Sequence, residues 1–404
     1  RANTTADNNT AVGFSALTAN TTGTESVAVG SSAGLSQTTG GENVLIGYKA
    51  AQSLTTAGNV TLVGWRAGES ISDEAYTTGV GHSALRNNTS GSRNHAFGAF
   101  SLDANSSGDY NTAVGYASLS ANTTAANSTA VGYEALLGNT TGAENTAVGY
   151  RALTSNTTAS NNSAFGYLSL NGNTTGAQNV GVGNNAGDNI TTGSNNTHVG
   201  YAAGGAVTTG SNNSSIGYNA GSVWASGASN NIAVGYDSKT AGSNPSYTYV
   251  IGVSCTGPNE NNHFAFGNDT AGVVHNNFDT DASWSRSSDL RKKTNINDAQ
   301  LGLEFVNNLR PVTFNWKPNN ELPEEFNDYA EENVKNTDLV MHGMIAQDVK
   351  AALDKVGIDS DTFGGWSERE DGSQYLSQEL FVHPLIKAVQ ELSAKVEELE
   401  DKLK

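Results

Sequence analysis

Up to Gly267 the apolar positions fall in short runs, most of them closed by a glycine. These glycines stand at Gly13, Gly30, Gly47, Gly64, Gly81, Gly98, Gly115, Gly132, Gly149, Gly166, Gly183, Gly200 and Gly217, each number seventeen above the last. The register then loosens to Gly235, Gly252 and Gly267. Two clear units are Thr129-Ala130-Val131-Gly132-Tyr133 and Thr146-Ala147-Val148-Gly149-Tyr150, each followed one residue later by Ala-Leu and then a polar turn such as Asn139-Thr140-Thr141-Gly142. A fixed period of this size means one structural unit per repeat, stacked on the next, so the pattern predicts short parallel strands about 4.8 Å apart. Sixteen such rungs would extend roughly 75 Å.

Three columns of the repeat carry physical meaning. The residue before each glycine is Val, Ile or Phe, as in Val12, Ile46 and Phe97. This reads as an inward strand position and is the predicted core. Three residues after each glycine the side chain is small: mostly Ala, otherwise Ser101, Ser118, Ser169, Ser238, Cys255 or Thr270. Close packing explains that column, and it makes Cys255 a small core group rather than a reactive thiol. Four residues before the glycine, Asn recurs (Asn94, Asn111, Asn145, Asn162), where a turn is needed and Asn tolerates turn geometry. With only about four apolar residues per turn, one chain would shield its core poorly. The expected remedy is to share that core between chains around a common axis, as a trimer.

These residues resemble a known pattern: Asn-x-Ala-Val-Gly-Tyr-x-Ala is similar to the head repeat of trimeric autotransporter adhesins. The resemblance implies a left-handed parallel β-roll. The many Asn-x-Thr triplets read as turn ladders rather than glycosylation sites, and the Thr columns as turn residues rather than an ice-binding face. His95, His198 and His263 could each meet symmetry mates at a threefold axis, but packed histidines are the plainer reading, and no metal or other cofactor is expected.

Composition narrows the function. With 46 Gly and only 15% charged residues the chain is unlike a globular enzyme. Its net charge of −18 divides into 8 basic and 16 acidic residues up to Ser287, and 13 basic and 23 acidic after it. Neither half suits nucleic acid. The single cysteine excludes an intrachain disulfide, and no stretch is apolar enough to insert in a membrane. The opening Arg1-Ala2-Asn3 is neither a start methionine nor a signal sequence, so a longer protein is expected.

Past Gly267 the sequence changes character. Residues 268–287 form an irregular polar stretch, and from Ser288 charged residues and helix-forming runs appear. Ser288-Asp289-Leu290-Arg291-Lys292-Lys293-Thr294-Asn295-Ile296 fits S-D-x-R-x-K-x-x-I. This resembles the intramolecular chaperone, or auto-processing, domain that ends endosialidase-type tailspikes and many tail fibres. Three further blocks match it in order: Leu309 to Lys317 (LRPVTFNWK), His342 to Val349 (HGMIAQDV) and Pro384 to Leu392 (PLIKAVQEL).

The resemblance implies that Ser288 is the nucleophile attacking the carbonyl of Ser287, with Lys293 as general base. A serine hydroxyl needs such a base, and burial or the cationic neighbours Arg291 and Lys292 would lower the pKa of Lys293, whereas Asp289 would oppose this. Leu385, Val389, Leu392, Val396, Leu399 and Leu403, spaced 4, 3, 4, 3 and 4, form a coiled-coil seam. Val and Leu in those places lean toward two strands by themselves. Near-identical rungs slip easily by one repeat, so a removable device that aligns three chains suits such a shaft.

The expected fold is therefore mainly β: a parallel β-solenoid shaft (a β-roll) over 1–267, a tip or linker at 268–287, and a small α+β chaperone over 288–404 ending in a coiled coil at 385–404. The expected protein is a homotrimeric phage tail fibre in the virion, made in the host cytoplasm and joined to other tail proteins through an N-terminal part preceding Arg1. Its enzymatic act would be one self-cleavage. Aromatics gather after Gly217, and Trp224, Tyr247 and Tyr249 are candidate contacts to a host-surface glycan or protein. The alternatives are a bacterial trimeric surface adhesin, and a polysaccharide-degrading tailspike with its active site outside residues 1–404. The constant step leaves no insertion to carry paired catalytic carboxylates.

Overall fold

A computed structural model describes residues 3–242, 245–269, 272–277, 290–324, 326, 329, 331–333, 337–369 and 372–404. The chain divides into two compact units, Arg1–Ser287 and Ser288–Lys404. In the first, each apolar run forms a short strand, beginning with Thr10–Val12 and Val27–Val29, that pairs in parallel with its successor one repeat later. In mid-stack Thr129 lies beside Thr146, Ala130 beside Ala147 and Val131 beside Val148. The sheet has 17 strands, of which all but the last run parallel. That last strand, Gly272–Asn277, turns back antiparallel on His263–Asn268. Part of the stretch expected to be irregular is thus a hairpin strand that closes the end of the sheet.

Each rung turns through residues in the left-handed region, including the non-glycines Glu134 (φ 53°), Leu136 (φ 51°) and Glu144 (φ 60°). In isolation such residues are disfavoured. Here their N–H groups are bonded into adjacent rungs: Glu134 to the Tyr116 carbonyl at 2.9 Å, Leu136 to that of Ala152 at 3.0 Å, and Glu144 to that of Ala126 at 3.0 Å. Stacking therefore offsets a strain that a single rung could not carry.

The core lies one position earlier than the sequence suggests. Alternation along the strand turns the central residue inward, so Ala28, Leu45, Leu62, Ala113 and Ala130 are fully buried. The expected core column faces outward instead: Val12, Ile46, Phe97 and Val114 are 37–57% exposed. The narrow interior takes its bulk from residues four after each glycine, among them Leu85, Leu102, Leu119, Leu136, Leu153 and Leu170, all buried opposite small central residues. Where the central residue is large, that position shrinks: a Cβ on Gly204 would stand 2.2 Å from the His198 ring. Where both positions are small, as at Gly181 and Gly187, side chains of neighbouring rungs such as Leu170 and His198 reach across, so the interior stays filled, as close packing requires. The core formed by the central and Leu columns closes within a single chain.

The small column behaves as expected. Ala33, Ala50, Ala67, Ala84 and Ser118 are buried, and so is Cys255, whose thiol burial pushes up to about 11. The Asn column forms a buried ladder: Asn145 accepts from the Asn162 N–H at 2.9 Å and donates to the Ala159 and Gly142 carbonyls at 2.8 and 3.0 Å. A second ladder, not read from the sequence, runs from Asn88 to Asn173; in it Asn156 donates to Asn139 Oδ1 at 2.7 Å. It stops where Ile190 replaces Asn, leaving Asn173 Oδ1 without a partner. Asn139 opens an Asn-x-Thr triplet, yet its amide is buried and bonded, so a glycan has no access to it. The Thr140 hydroxyl likewise bonds the Thr157 carbonyl of the next rung at 3.0 Å.

His198 replaces the usual Ala in the central column. It is fully buried, its Nδ1 lies 3.1 Å from Ser215 Oγ, and its Nε2 has no partner. Burial alone lowers its pKa to about 4. The unfolded chain takes up this proton near pH 6.5 and the folded shaft only near 4, so shaft stability is expected to fall as the pH drops through that window. The loss is roughly 3 kcal/mol, and it levels off below it. Urea unfolding followed from pH 7.5 to 4 checks this. A His198→Leu variant should lose most of that slope, and an unchanged slope would remove the assignment.

The second unit packs α1 (Leu303–Asn308), α2 (Ala346–Lys355) and α3 (Val382–Lys402) around Phe305, Val349, Leu353, Trp366 and Phe381. Phe305, Phe363 and Phe381 form a cluster of rings 5.4–6.3 Å apart. Glu391 on α3 accepts the Leu303 N–H at 2.8 Å and so satisfies a free donor at the start of α1. Two antiparallel strand pairs complete the unit, Val312–Phe314 with Met341–Gly343 and Trp366–Glu368 with Gln374–Leu376.

Candidate functional site

Ser287 and Ser288, the expected cleavage pair, lie outside the described residues, as do Asp289 and Trp284. The chain is described again from a short 3-10 turn, Leu290–Lys292. Lys293 follows it, with its N–H donated to the Leu290 carbonyl at 3.2 Å and its side chain exposed.

The other motif blocks converge. Thr313, from the second block, pairs with His342 at the start of the third. Across the same junction the Arg310 guanidinium grips Asp348 Oδ2 from Nε at 2.9 Å and Nη2 at 2.7 Å. The fourth block lies on α3 and supplies Glu391, the cap of α1. Residues that looked like separate motifs therefore hold one small domain together.

On α3 and its C-cap the seam is open. Leu385, Val389, Leu392, Val396, Leu399 and Leu403 are 47–87% exposed. Burying one leucine contributes roughly 1.5–3 kcal/mol, so these six groups form an apolar face that the chain's described residues leave in water.

Of the residues singled out for host contact, Trp224 does not fit. It is fully buried in the shaft core, on a rung where Gly221 makes room for its ring. Its size filled a cavity; it offers no surface. Tyr247 is 52% exposed, and Tyr249 is half-buried with its ring 6.4 Å from that of Phe264. Tyr236 belongs to a regular stack, 5.0 Å from Tyr218. His198 and His263 are enclosed by their own chain, which removes them from any threefold axis, whereas His95 stands exposed on the outer sheet face.

A feature the sequence reading passed over is the residue after each glycine. There Tyr116, Tyr133, Tyr150 and Tyr167 stack at 5.2–5.4 Å with ring planes within 13° of parallel. Their recurrence with the same period as the glycines was the available signal.

These elements define a parallel β-solenoid followed by a small α+β domain with a long terminal helix. Residues 288–358 match the family model described as Chaperone of endosialidase, so the second unit carries a domain of that kind. No curated protein and no solved structure matches the chain.

Proposed function

We propose that this chain is the distal part of a phage tail fibre or tailspike, a homotrimeric shaft whose C-terminal domain aligns three copies and then removes itself between Ser287 and Ser288. The observation that carries the reading is the chaperone match at residues 288–358, set directly after a solenoid of near-identical rungs. The open seam on α3 supports association through this unit. Once the rungs have locked, the domain has no further work, and its loss makes assembly irreversible. The virion is the setting this implies, with Tyr247 and Tyr249 near the end of the shaft sequence as contacts to a host glycan or protein.

Native mass measurement tests the assembly. The full-length Ser288→Ala chain should run as a trimer, and adding Val389→Asp and Leu392→Asp should leave it monomeric or aggregated, since each buries a charge in the seam. A monomeric parent chain would overturn the reading. Loss of host adsorption on Tyr247→Ala, with the trimer intact, would support the contact; unchanged adsorption would remove it.

A further inference from the structure

The outer face of the shaft carries an apolar stripe. Residues just before each glycine (Val114, Phe165, Ile216) are 37–46% exposed, and the tyrosines just after it (Tyr116, Tyr150, Tyr218) are 42–47% exposed. Alternation puts residues one and three before the glycine on this same face, as the Phe264–Phe266 ring contact at 6.0 Å illustrates. The row three before the glycine is mostly polar (Thr112, Thr129, Thr146, Ser163), so the apolar band runs from the residue before the glycine to the one after it, about 7 Å wide and roughly 75 Å long, or about 500 Å² per chain. That stands at the upper end of the roughly 300–600 Å² that the largest apolar patch of a monomer covers, a size that is often functional.

We infer that this stripe is the seam along which copies of the chain meet, rung for rung. The inference rests on the trimeric reading above and adds the face and the register. Three observations select the occupant. Within the runs Tyr116 to Tyr167 and Tyr201 to Tyr236 the rings stack on one another, so the faces between them are covered and edges and hydroxyls point outward. That geometry does not suit a sugar, which packs on a ring face. The stripe also repeats with the rung spacing over its whole length, and a surface that matches it throughout must have the same pitch, which another copy of this chain has. Finally, the ladder is interrupted at Ser31, Ala99 and Asn184. Copies in register set Asn184 beside Asn184, whereas a slip of one rung sets it against Tyr167 or Tyr201.

Cysteine cross-linking on the full-length Ser288→Ala, Cys255→Ala chain tests this. Tyr150→Cys on the stripe should give covalent dimers on a denaturing gel, while Thr141→Cys, on an exposed turn, should not. Co-assembled chains of different tag length, one with Tyr116→Cys and the other with Tyr150→Cys, should give only like-to-like products. A trimeric mass without the Tyr150 product, or with the Thr141 product, overturns the seam and leaves the trimer standing. Unlike pairs between Tyr116 and Tyr150 overturn the register. A monomeric mass defeats the trimer and the seam together, and a seam taken up by another protein would show as a cross-link to that protein alone.

Discussion

Ser288→Ala leaves the chain whole, whereas the wild type yields fragments 1–287 and 288–404; that is the expected result on a denaturing gel. The chemistry is all-or-none because alanine has no oxygen to attack the Ser287 carbonyl. In the proposed step Lys293 takes the hydroxyl proton, the Ser288 oxygen bonds to the carbonyl carbon, and the 287–288 C–N bond breaks. The proton passes to the freed Ser288 amine, and water then hydrolyses the ester. Lys293→Arg separates charge from base function: arginine stays protonated at any accessible pH, so cleavage should slow at least about a hundredfold although the positive charge remains. Cleavage of Ser288→Ala at the wild-type rate would sink the nucleophile assignment. Wild-type rates in Lys293→Arg would sink the base and leave the nucleophile standing.

Gly132→Val is expected to break the shaft locally and to lower its stability by about 4 kcal/mol. Gly132 has φ +136°, which side-chain-bearing residues rarely adopt, and a Cβ there would lie 2.3 Å from the Gly149 carbonyl oxygen of the next rung. Backbone cannot step aside without breaking the ladder. Gly357 is the control. It too has a positive φ, of 73°, but nothing lies within 4 Å of an added Cβ, so Gly357→Ala should cost only about 1 kcal/mol. Amide exchange should locate the Gly132→Val damage in rungs beside residue 132, since repeats contact only their neighbours. Uniform loss across all rungs, or none, would contradict this account.

The repeat, the parallel stacking, the small column and the first Asn ladder were legible because each depends on period and residue size alone. The facing of the strand was not. Val131 is bulkier and more apolar than Ala130, and bulk is the sequence's ordinary mark of the inside, yet the interior of this rung has room only for Ala because Leu136 reaches in from the turn. The sign was present in the exchange between columns, where large central residues such as His198 coincide with glycine at Gly204. Trp224 misled for the same reason: an aromatic near a loosened register resembles a contact residue, but opposite Gly221 it fills space. In the second unit the motif blocks were legible one by one. Their meeting through Arg310 and Asp348 was not, since a spacing of 38 residues carries no local signal.

The coil-to-coil bonds have one more consequence. Thr140 bonds Thr157, Asn145 bonds Asn162, and Thr157 bonds Thr174, always 17 residues on. A duplication or deletion of one whole repeat therefore restores every ladder, while one of half a repeat breaks them all. Reach is consequently quantised: the molecule can lengthen or shorten in increments of about 4.8 Å, and in no finer unit, without altering a single side chain.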